Sequence, residues 1–179
     1  MRKINFYGGP GSGKSTVAAL LYSELKVLQY RTELVREFAK DLVYQGMDLR
    51  KSDYNLQLII FAEQLRREIL LSEHVDFIIC DSPLFLNAYY AKEDHLLKVA
   101  KDNNHKKDIH IWIERDPNEH FESEGRSHNE KQSKKIDSEM KKFLTEVCGL
   151  ELLIVKGTAK EKSGFIINHI IKNYQRNKK

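Results

Sequence analysis

Short apolar segments alternate along the chain with longer segments whose apolar residues recur at helical spacing. Short apolar runs are typical of buried strands, whereas apolar positions every three or four residues indicate helices packed on one face. Strands are predicted at 3–7, 32–35, 77–80, 109–114 and 150–157, and helices at 16–28, 37–45, 53–72, 130–147 and 162–174. Strands separated by helices predict an α/β fold, with a parallel sheet covered by helices on both faces.

The long helix in the middle of the chain has a clear apolar pattern. Ser52 or Asp53 is expected to cap its N-terminus. Its predicted sheet-facing side consists of Leu56, Ile59, Ile60, Ala62, Leu65, Ile69 and Leu70. We expect these residues to pack against the sheet.

The length and composition fit one compact domain. The chain has 179 residues, 41% of them hydrophobic, and a domain commonly has about 100–200 residues. Cys80 and Cys148 lie among apolar residues without paired spacing, so we expect two free thiols. No apolar run is long enough for a membrane span, so an intracellular protein that does not enter a membrane is expected. The formal charge of +4 is compatible with a polyanionic partner such as DNA.

A glycine-rich loop follows the first predicted strand. Gly8, Gly13, Lys14 and Ser15 fit the pattern G-x-x-x-x-G-K-[ST], between a strand and a helix as that pattern requires. Glycines let backbone N–H groups point at phosphate oxygens, and the helix N-terminus favours the same anion. Lys14 can reach the β- and γ-phosphates, and the Ser15 hydroxyl can bind Mg²⁺. The residues predicted to bind the nucleotide here are Gly9, Gly11, Ser12, Gly13, Lys14, Ser15 and Thr16.

An acidic residue ends the third predicted strand. Asp81 directly follows the apolar run 77–80, where a carboxylate can hold Mg²⁺ directly or through water. The alternative is a helix cap before Pro83, a role that Ser82 can also fill. We favour the metal role because of the phosphate loop upstream.

Two charged residues end the second predicted strand. Arg36 and Glu37 should emerge at the same edge of the sheet as the phosphate loop. Glu37 can take a proton from an acceptor hydroxyl, and Arg36 can hold an acceptor phosphate. The alternative for Glu37 is an acid that offsets the dipole of the following helix.

A polar segment at about 114–135 carries two further arginines. Such a segment can fold over a nucleotide, exclude water and bring Arg126 or Arg115 to the charge that develops during phosphate transfer. A solvated, charge-rich loop is the alternative. His120 and His128 lie in it without other ligands at metal spacing, so we expect them at the surface.

Weaker signals concern residues that could contact the adenine ring or the acceptor base. Gly157 follows the last predicted strand, where a loop can lie against an adenine ring, although a turn explains the glycine equally well. Gln57 and Gln64 on the long helix can pair with the edge of an acceptor base, and Phe61 can stack on it. The alternative is that these residues lie on the surface of the helix and have no role in binding.

The stretches GGPGSGKST, LVREFAKDLV and FIICDSP, with IERD and EGRSH further on, resemble the small P-loop kinases of nucleosides and nucleotides. The resemblance is greatest to the nicotinamide-riboside-kinase-like branch and its bacteriophage relatives. It implies a three-layer P-loop NTPase fold in one domain over residues 1–179, with a lid at about 114–135. ATP and Mg²⁺ are the implied cofactors. The family's roles in transfer then belong to Lys14, Ser15, Glu37, Asp81, Arg115 and Arg126.

The acceptor stays open at the level of sequence. A nucleoside or nucleotide is the first expectation. Some phage kinases that this chain resembles phosphorylate the hydroxymethyl group of 5-hydroxymethyluracil in DNA, which would suit a basic protein. A hydroxyl acceptor benefits from a base such as Glu37, whereas a phosphate acceptor does not need one. An ATPase switch and a nucleic-acid-binding module that uses nucleotide as a ligand remain alternatives from other classes.

Overall fold

A computed structural model describes residues 1–49, 53–116 and 130–176. For residues 130–132 and 174–176 it describes the backbone only. The elements begin with β1 (Arg2–Tyr7), α1 (Lys14–Val27), β2 (Thr32–Val35), α2 (Phe38–Tyr44), α3 (Tyr54–Leu71) and β3 (Phe77–Cys80). They continue with α4 (Leu84–Ala91), α5 (Asp94–Asp102), β4 (Ile109–Ile113), α6 (Glu130–Lys142), a π-helical segment (Phe143–Val147), β5 (Leu152–Val155) and α7 (Ala159–Arg176).

The five described strands form one parallel sheet in the order β2-β3-β1-β4-β5. β1 pairs with β3 on one side and with β4 on the other, for example through Asn5 opposite Cys80 and Tyr7 opposite Trp112. The strands β2 and β3 therefore lie on one side of β1, and β4 and β5 lie on its other side. Ligands of such sheets bind where this change of direction occurs, at the carboxyl ends of the strands.

Alternating residues of the strands contribute to hydrophobic clusters on both faces of the sheet. Ile4 and Phe6 of β1 pack with residues of α1 and α7 on one face of the sheet. Tyr7 and Trp112 contribute to a second cluster on the other face, with residues of α3, α4, α5 and α6. The predicted parallel sheet with helices on both faces is therefore confirmed.

Most predicted elements are present, but two helices were not predicted. The predicted bounds of the second and third strands coincide with β2 and β3. The sequence pattern predicts no helix between 81 and 109, where the structure has α4 and α5. α4 has the sequence LFLNAYYA and is buried along most of its length, so it lacks the polar face that makes a helix recognisable.

The predicted apolar face of α3 is partly wrong. Ile59, Ile69 and Leu70 are exposed, and the buried residues of the helix are Ile60, Phe61, Gln64 and Glu68. The reason lies in β1, because the buried Lys3 Nζ donates to Glu68 Oε2 at 3.1 Å. A buried ammonium group needs a carboxylate, so Glu68 turns inward and the residues one and two helical turns before it, Gln64 and Phe61, turn inward with it. Asp53 is the N-cap, and its side chain accepts the Leu56 N–H.

A neutral histidine lies in the same polar part of the core. His110 Nδ1 is 3.0 Å from the Tyr7 hydroxyl and 3.5 Å from Asn5 Nδ2. Burial lowers the pKa of His110 to about 4, an effect that Asp108 opposes and Lys3 reinforces. The folded protein therefore binds a proton here less readily than the unfolded chain does.

His110 should make folding stability depend on pH. The folded-state pKa is about 4, below the ordinary value of about 6.5, so the stabilisation is complete above about pH 6.5 and is lost as the pH falls toward 4. We expect the free energy of unfolding to fall by about 2 to 3 kcal/mol between pH 7 and pH 4.5 from this group. Urea titrations of the wild type and His110→Gln at both pH values measure the effect. Equal pH dependence in the two proteins would contradict it.

Two further expectations concern cysteines and membranes. Cys80 and Cys148 are both free thiols, the first buried and the second half-buried. None of the helices within residues 1–49, 53–116 and 130–176 is long and apolar enough to cross a bilayer.

Candidate active site

The glycine-rich loop connects β1 directly to the first turn of α1. Gly13 is the N-cap of α1 and lies in the left-handed region with φ 84°, a conformation that suits glycine. Within the loop, the Ser12 N–H donates to the Gly9 carbonyl at 3.2 Å. A glycine cannot cap the helix with a side chain, so the first amides of α1 remain suited to an anionic ligand. The strand, loop and helix that the motif requires are all present.

Lys14 reaches back over this loop. Its Nζ donates to the carbonyl oxygens of Gly8 at 2.7 Å and Gly9 at 3.1 Å. Burial lowers the pKa of Lys14, and the negative charges of Asp81, Glu37 and Asp137 oppose that change. The ammonium group therefore lies near three carboxylates that come from three different parts of the chain.

Ser15 and Asp81 form the predicted pair. The Ser15 hydroxyl donates to Asp81 Oδ2 at 2.6 Å. Asp81 is buried, and its Oδ1 has no hydrogen-bond partner in the part of the chain that the structure describes. A hydroxyl beside a carboxylate with an unpaired oxygen is a donor set that Mg²⁺ accepts, since this ion usually takes one or two carboxylates plus phosphate and water. The residues present therefore fit a bound Mg²⁺.

The capping alternative for Asp81 is wrong. α4 begins at Leu84 and its N-cap is Pro83. The Ser82 hydroxyl donates to Asn87 Oδ1 at 3.3 Å and does not cap the helix either.

Glu37 and Arg36 follow β2 at the same edge of the sheet. Glu37 is the N-cap residue of α2, but its side chain makes no capping hydrogen bond. Its charge instead contributes to the pKa values of Lys14 and Tyr90. Arg36 is exposed, and its backbone carbonyl accepts a hydrogen bond from Arg67 Nη1 at 3.4 Å. The position of Glu37 at the N-terminus of α2 is compatible with the dipole alternative, so its role as a base stays a prediction.

Arg115 lies against the phosphate loop. Its Nη2 donates to the Pro10 carbonyl oxygen at 2.9 Å, and its Nε and Nη2 both donate to Asp137 of α6. Arg126, His120, His128 and most of the predicted lid at 114–135 lie outside the described residues. Within the described residues, Arg115 lies at the phosphate loop, and the predicted role of Arg126 stays a prediction.

The candidate acceptor residues on α3 differ in their environment. Gln64 is buried, and neither polar atom of its amide has a hydrogen-bond partner among the described residues. Phe61 is packed in the core cluster that contains Tyr7 and Leu84, which favours a structural role for its ring. Gln57 is half-buried. A buried amide without partners is costly unless it is satisfied, so Gln64 is the strongest candidate of the three for a polar ligand.

Gly157 lies in the turn that begins α7. It has φ 97°, and the next residue, Thr158, forms a reciprocal cap with Glu161: the Thr158 N–H donates to Glu161 Oε2 at 2.8 Å, and the Glu161 N–H contacts Thr158 Oγ1 at 3.4 Å. The turn accounts for this glycine. A contact with an adenine ring stays a prediction.

Two residues at the site were missed in the sequence. Tyr90 of α4 is 37% exposed, and burial of its hydroxyl raises its pKa, a change to which Glu37, Tyr89 and Asp137 add. Asp137 accepts the Gly9 N–H at 2.6 Å. Tyr90 lies on a helix that was not predicted, and Asp137 is one acid within a charge-rich helix, so neither had a motif to identify it.

The sheet order and the glycine-rich loop define a P-loop NTPase fold of the kinase type. A family model described as an AAA domain matches residues 3–162, and the chain belongs to that family.

Solved structures with the same fold include two of the deoxyadenosine kinase from M. mycoides. One has the products dCMP and a flexible dCDP bound, and it aligns with a TM-score of 0.61. The other has bound dATP and a TM-score of 0.63. Each is 18% identical to this chain and covers 95% of it and 99% of the kinase chain. At this identity the similarity establishes the fold. None of the curated proteins has a significant sequence match to this chain.

Proposed function

We propose that this protein is a kinase that transfers the γ-phosphate of ATP to a hydroxyl group of a nucleoside- or nucleotide-type acceptor. The observation that carries the proposal is the geometry of the phosphate loop: Lys14 Nζ lies over the loop carbonyls, and the Ser15 hydroxyl is 2.6 Å from Asp81 Oδ2. Lys14 lies in the loop, and the charge of Glu37 acts on its pKa from the end of another strand. A phosphate-binding cation opposite a carboxylate is the arrangement that transfer to a hydroxyl requires.

The nucleotide end would be formed by the loop amides, Lys14 and Arg115. The loop amides and Lys14 would bind the phosphates and offset their charge, while Arg115 supplies a second cation beside Pro10. Ser15 and Asp81 would hold Mg²⁺, which when bound neutralises phosphate charge. Arg126 stays a candidate for the same task from the lid.

At the acceptor end, Glu37 would accept the proton of the attacked hydroxyl. A phosphate acceptor is already anionic near neutral pH and needs no base, so a catalytic Glu37 favours a hydroxyl. Arg36 is exposed beside it and can bind a phosphate on the acceptor. Gln64 can pair with the edge of a base, because a carboxamide offers both a donor and an acceptor.

Asp81→Asn should weaken the response to Mg²⁺. Asparagine keeps the size of the side chain but removes the charge that Mg²⁺ favours. We expect the Mg²⁺ concentration for half-maximal activity to rise by about 10- to 100-fold. Rates measured across a Mg²⁺ titration test this, with Asp76→Asn as a control because Asp76 pairs with Arg31 at the opposite end of β3. An unchanged Mg²⁺ dependence would remove Asp81 from the metal site.

Transfer of labelled γ-phosphate to a panel of acceptors tests the function itself. The panel contains nucleosides, nucleoside monophosphates, nicotinamide riboside, and duplex DNA with or without 5-hydroxymethyluracil. Label on a nucleoside supports the proposal, and label on nicotinamide riboside would extend the resemblance to that narrower branch. Label on modified DNA alone would make the protein a DNA-modifying kinase. Phosphate release that no acceptor stimulates would instead indicate an ATPase, and the kinase proposal would be wrong.

A further inference from the structure

Helix α6 packs directly on the first part of the phosphate loop. The Gly9 N–H donates to Asp137 Oδ1 at 2.6 Å. A Cβ at position 9 would overlap this oxygen and would lie 3.1 Å from the Ser133 carbonyl oxygen. Ser133 and Asp137 are four residues apart and therefore lie on the same side of the helix. A side chain at position 9 would therefore displace the Asp137 carboxylate and crowd the backbone of α6.

The same carboxylate holds Arg115. Nε and Nη2 of Arg115 both donate to Asp137, and Nη2 also donates to the Pro10 carbonyl oxygen at 2.9 Å. The two side chains are only 17% and 18% exposed, so the pair is largely shielded from water. A two-point bond fixes the plane of a guanidinium group, which a single contact does not.

The pair also acts on the charges of the site. Burial lowers the pKa of Lys14, Asp137 opposes that change and Arg115 adds to it. The pKa of Tyr90 responds to the same two charges. The carboxylate and the guanidinium group are therefore close enough to the phosphate-binding end to influence a bound anion.

A carboxylate at this place has two opposite effects on a bound nucleotide. Its negative charge repels phosphate oxygens and so weakens binding. Its bonds to Arg115 hold a cation beside the loop, where a transferred phosphate group needs charge stabilisation. A residue that only stabilised the fold would change binding and turnover together or not at all.

We propose that Asp137 is a positioning residue for phosphate transfer, which fixes Arg115 against the phosphate loop and thereby connects α6 to the site. This rests on the proposed kinase function and adds to it a residue that acts through Arg115. The connection also accounts for the acid on α6.

Asp137→Asn tests the connection selectively. Asparagine has the same size and its Oδ1 still accepts the Gly9 N–H, but its amide nitrogen cannot accept from Arg115. We expect kcat to fall by at least about tenfold, while the Kd for ATP stays within about threefold of wild type or becomes tighter. Glu139→Gln is the matched control, because Glu139 is on the same helix and 54% exposed. A kcat less than about tenfold below wild type in Asp137→Asn would overturn the proposal.

The double variant separates positioning from an independent contribution. Arg115→Gln and Arg115→Gln/Asp137→Asn should have the same kcat, because Asp137 acts through Arg115. If the kcat losses of the two single variants multiply in the double variant, the proposal is wrong. If Asp137→Asn does not fold, Arg115→Lys replaces it, since lysine keeps the charge but cannot form the two-point bond. An unchanged kcat in that variant would equally count against the connection.

Amide hydrogen exchange distinguishes failure of this proposal from failure of the kinase function. If the wild-type protein transfers phosphate to no acceptor, the kinase function is wrong, but the exchange rate at residues 8–13 still reports on the connection. Faster exchange there in Asp137→Ala, which removes the acceptor of the Gly9 N–H, and not in Glu139→Ala supports the link between α6 and the loop. Equal exchange in the two variants overturns it.

Discussion

Replacing Lys14 with alanine is expected to lower kcat for phosphate transfer by on the order of 10³-fold. The ammonium group already lies over the loop, 2.7 Å from the Gly8 carbonyl and 3.1 Å from the Gly9 carbonyl. It needs only to exchange these partners for phosphate oxygens when a nucleotide binds. Alanine removes the positive charge and supplies no other cation to bind the phosphates.

The same variant should remain folded. Burial lowers the pKa of Lys14, which means that the folded protein holds the ammonium group at a cost. Thermal unfolding followed by circular dichroism should therefore show no large loss of stability. Lys26→Ala is the control, because Lys26 is on the same helix in an exposed pair with Glu33 and such pairs contribute little. Wild-type turnover in Lys14→Ala would remove the phosphate-loop assignment.

Replacing Glu37 with glutamine is expected to lower kcat by roughly 10²–10⁴-fold for a hydroxyl acceptor. Glutamine has the same shape and makes hydrogen bonds, but it cannot accept the proton of the attacked hydroxyl. The binding of ATP should change little, because the loop, Lys14 and Arg115 are all retained. Single-turnover rates at saturating ATP, together with the Kd for ATP, measure the two effects separately.

Glu33→Gln is the matched control for this experiment. Glu33 is on β2, immediately before the same edge of the sheet, and pairs with Lys26 at 2.9 Å near the surface. It should leave kcat unchanged. A loss of less than tenfold in Glu37→Gln would return Glu37 to a helix N-cap without a catalytic role, and a phosphate acceptor held by Arg36 would then be favoured.

The sequence was informative wherever a function depends on residues that are close together in the chain. A single connection between β1 and α1 contains the glycines of the phosphate loop, Lys14 and Ser15. Their geometry therefore follows from local backbone preferences. Asp81 and Glu37 were also recognisable, because each directly follows an apolar strand and parallel strands end at one edge of the sheet. In the structure Asp81 accepts the Ser15 hydroxyl, and the charges of Asp81 and Glu37 both oppose the lowering of the Lys14 pKa.

The sequence was less informative where burial decides which side of a helix faces inward. Gln64 and Glu68 are polar, and a hydrophobic pattern places such residues outside, but the buried Lys3 turns them toward the sheet. The predicted face of α3 was therefore partly wrong. Likewise, α4 has no polar face that shows a helical period, so no pattern in the sequence predicts an electrostatic effect of Glu37 on Tyr90.

By itself, the sequence determined the fold class, the phosphate loop and the strand ends that carry Glu37 and Asp81, because these depend on short-range spacing and on the order of strands and helices. Only the tertiary structure decided that Asp137 of α6 meets Gly9 and Arg115, across separations of 128 and 22 residues in the chain. That contact depends on how α6 packs over the carboxyl ends of the strands. A local sequence pattern does not predict such packing, because the free energy that stabilises it comes from burying one element against another.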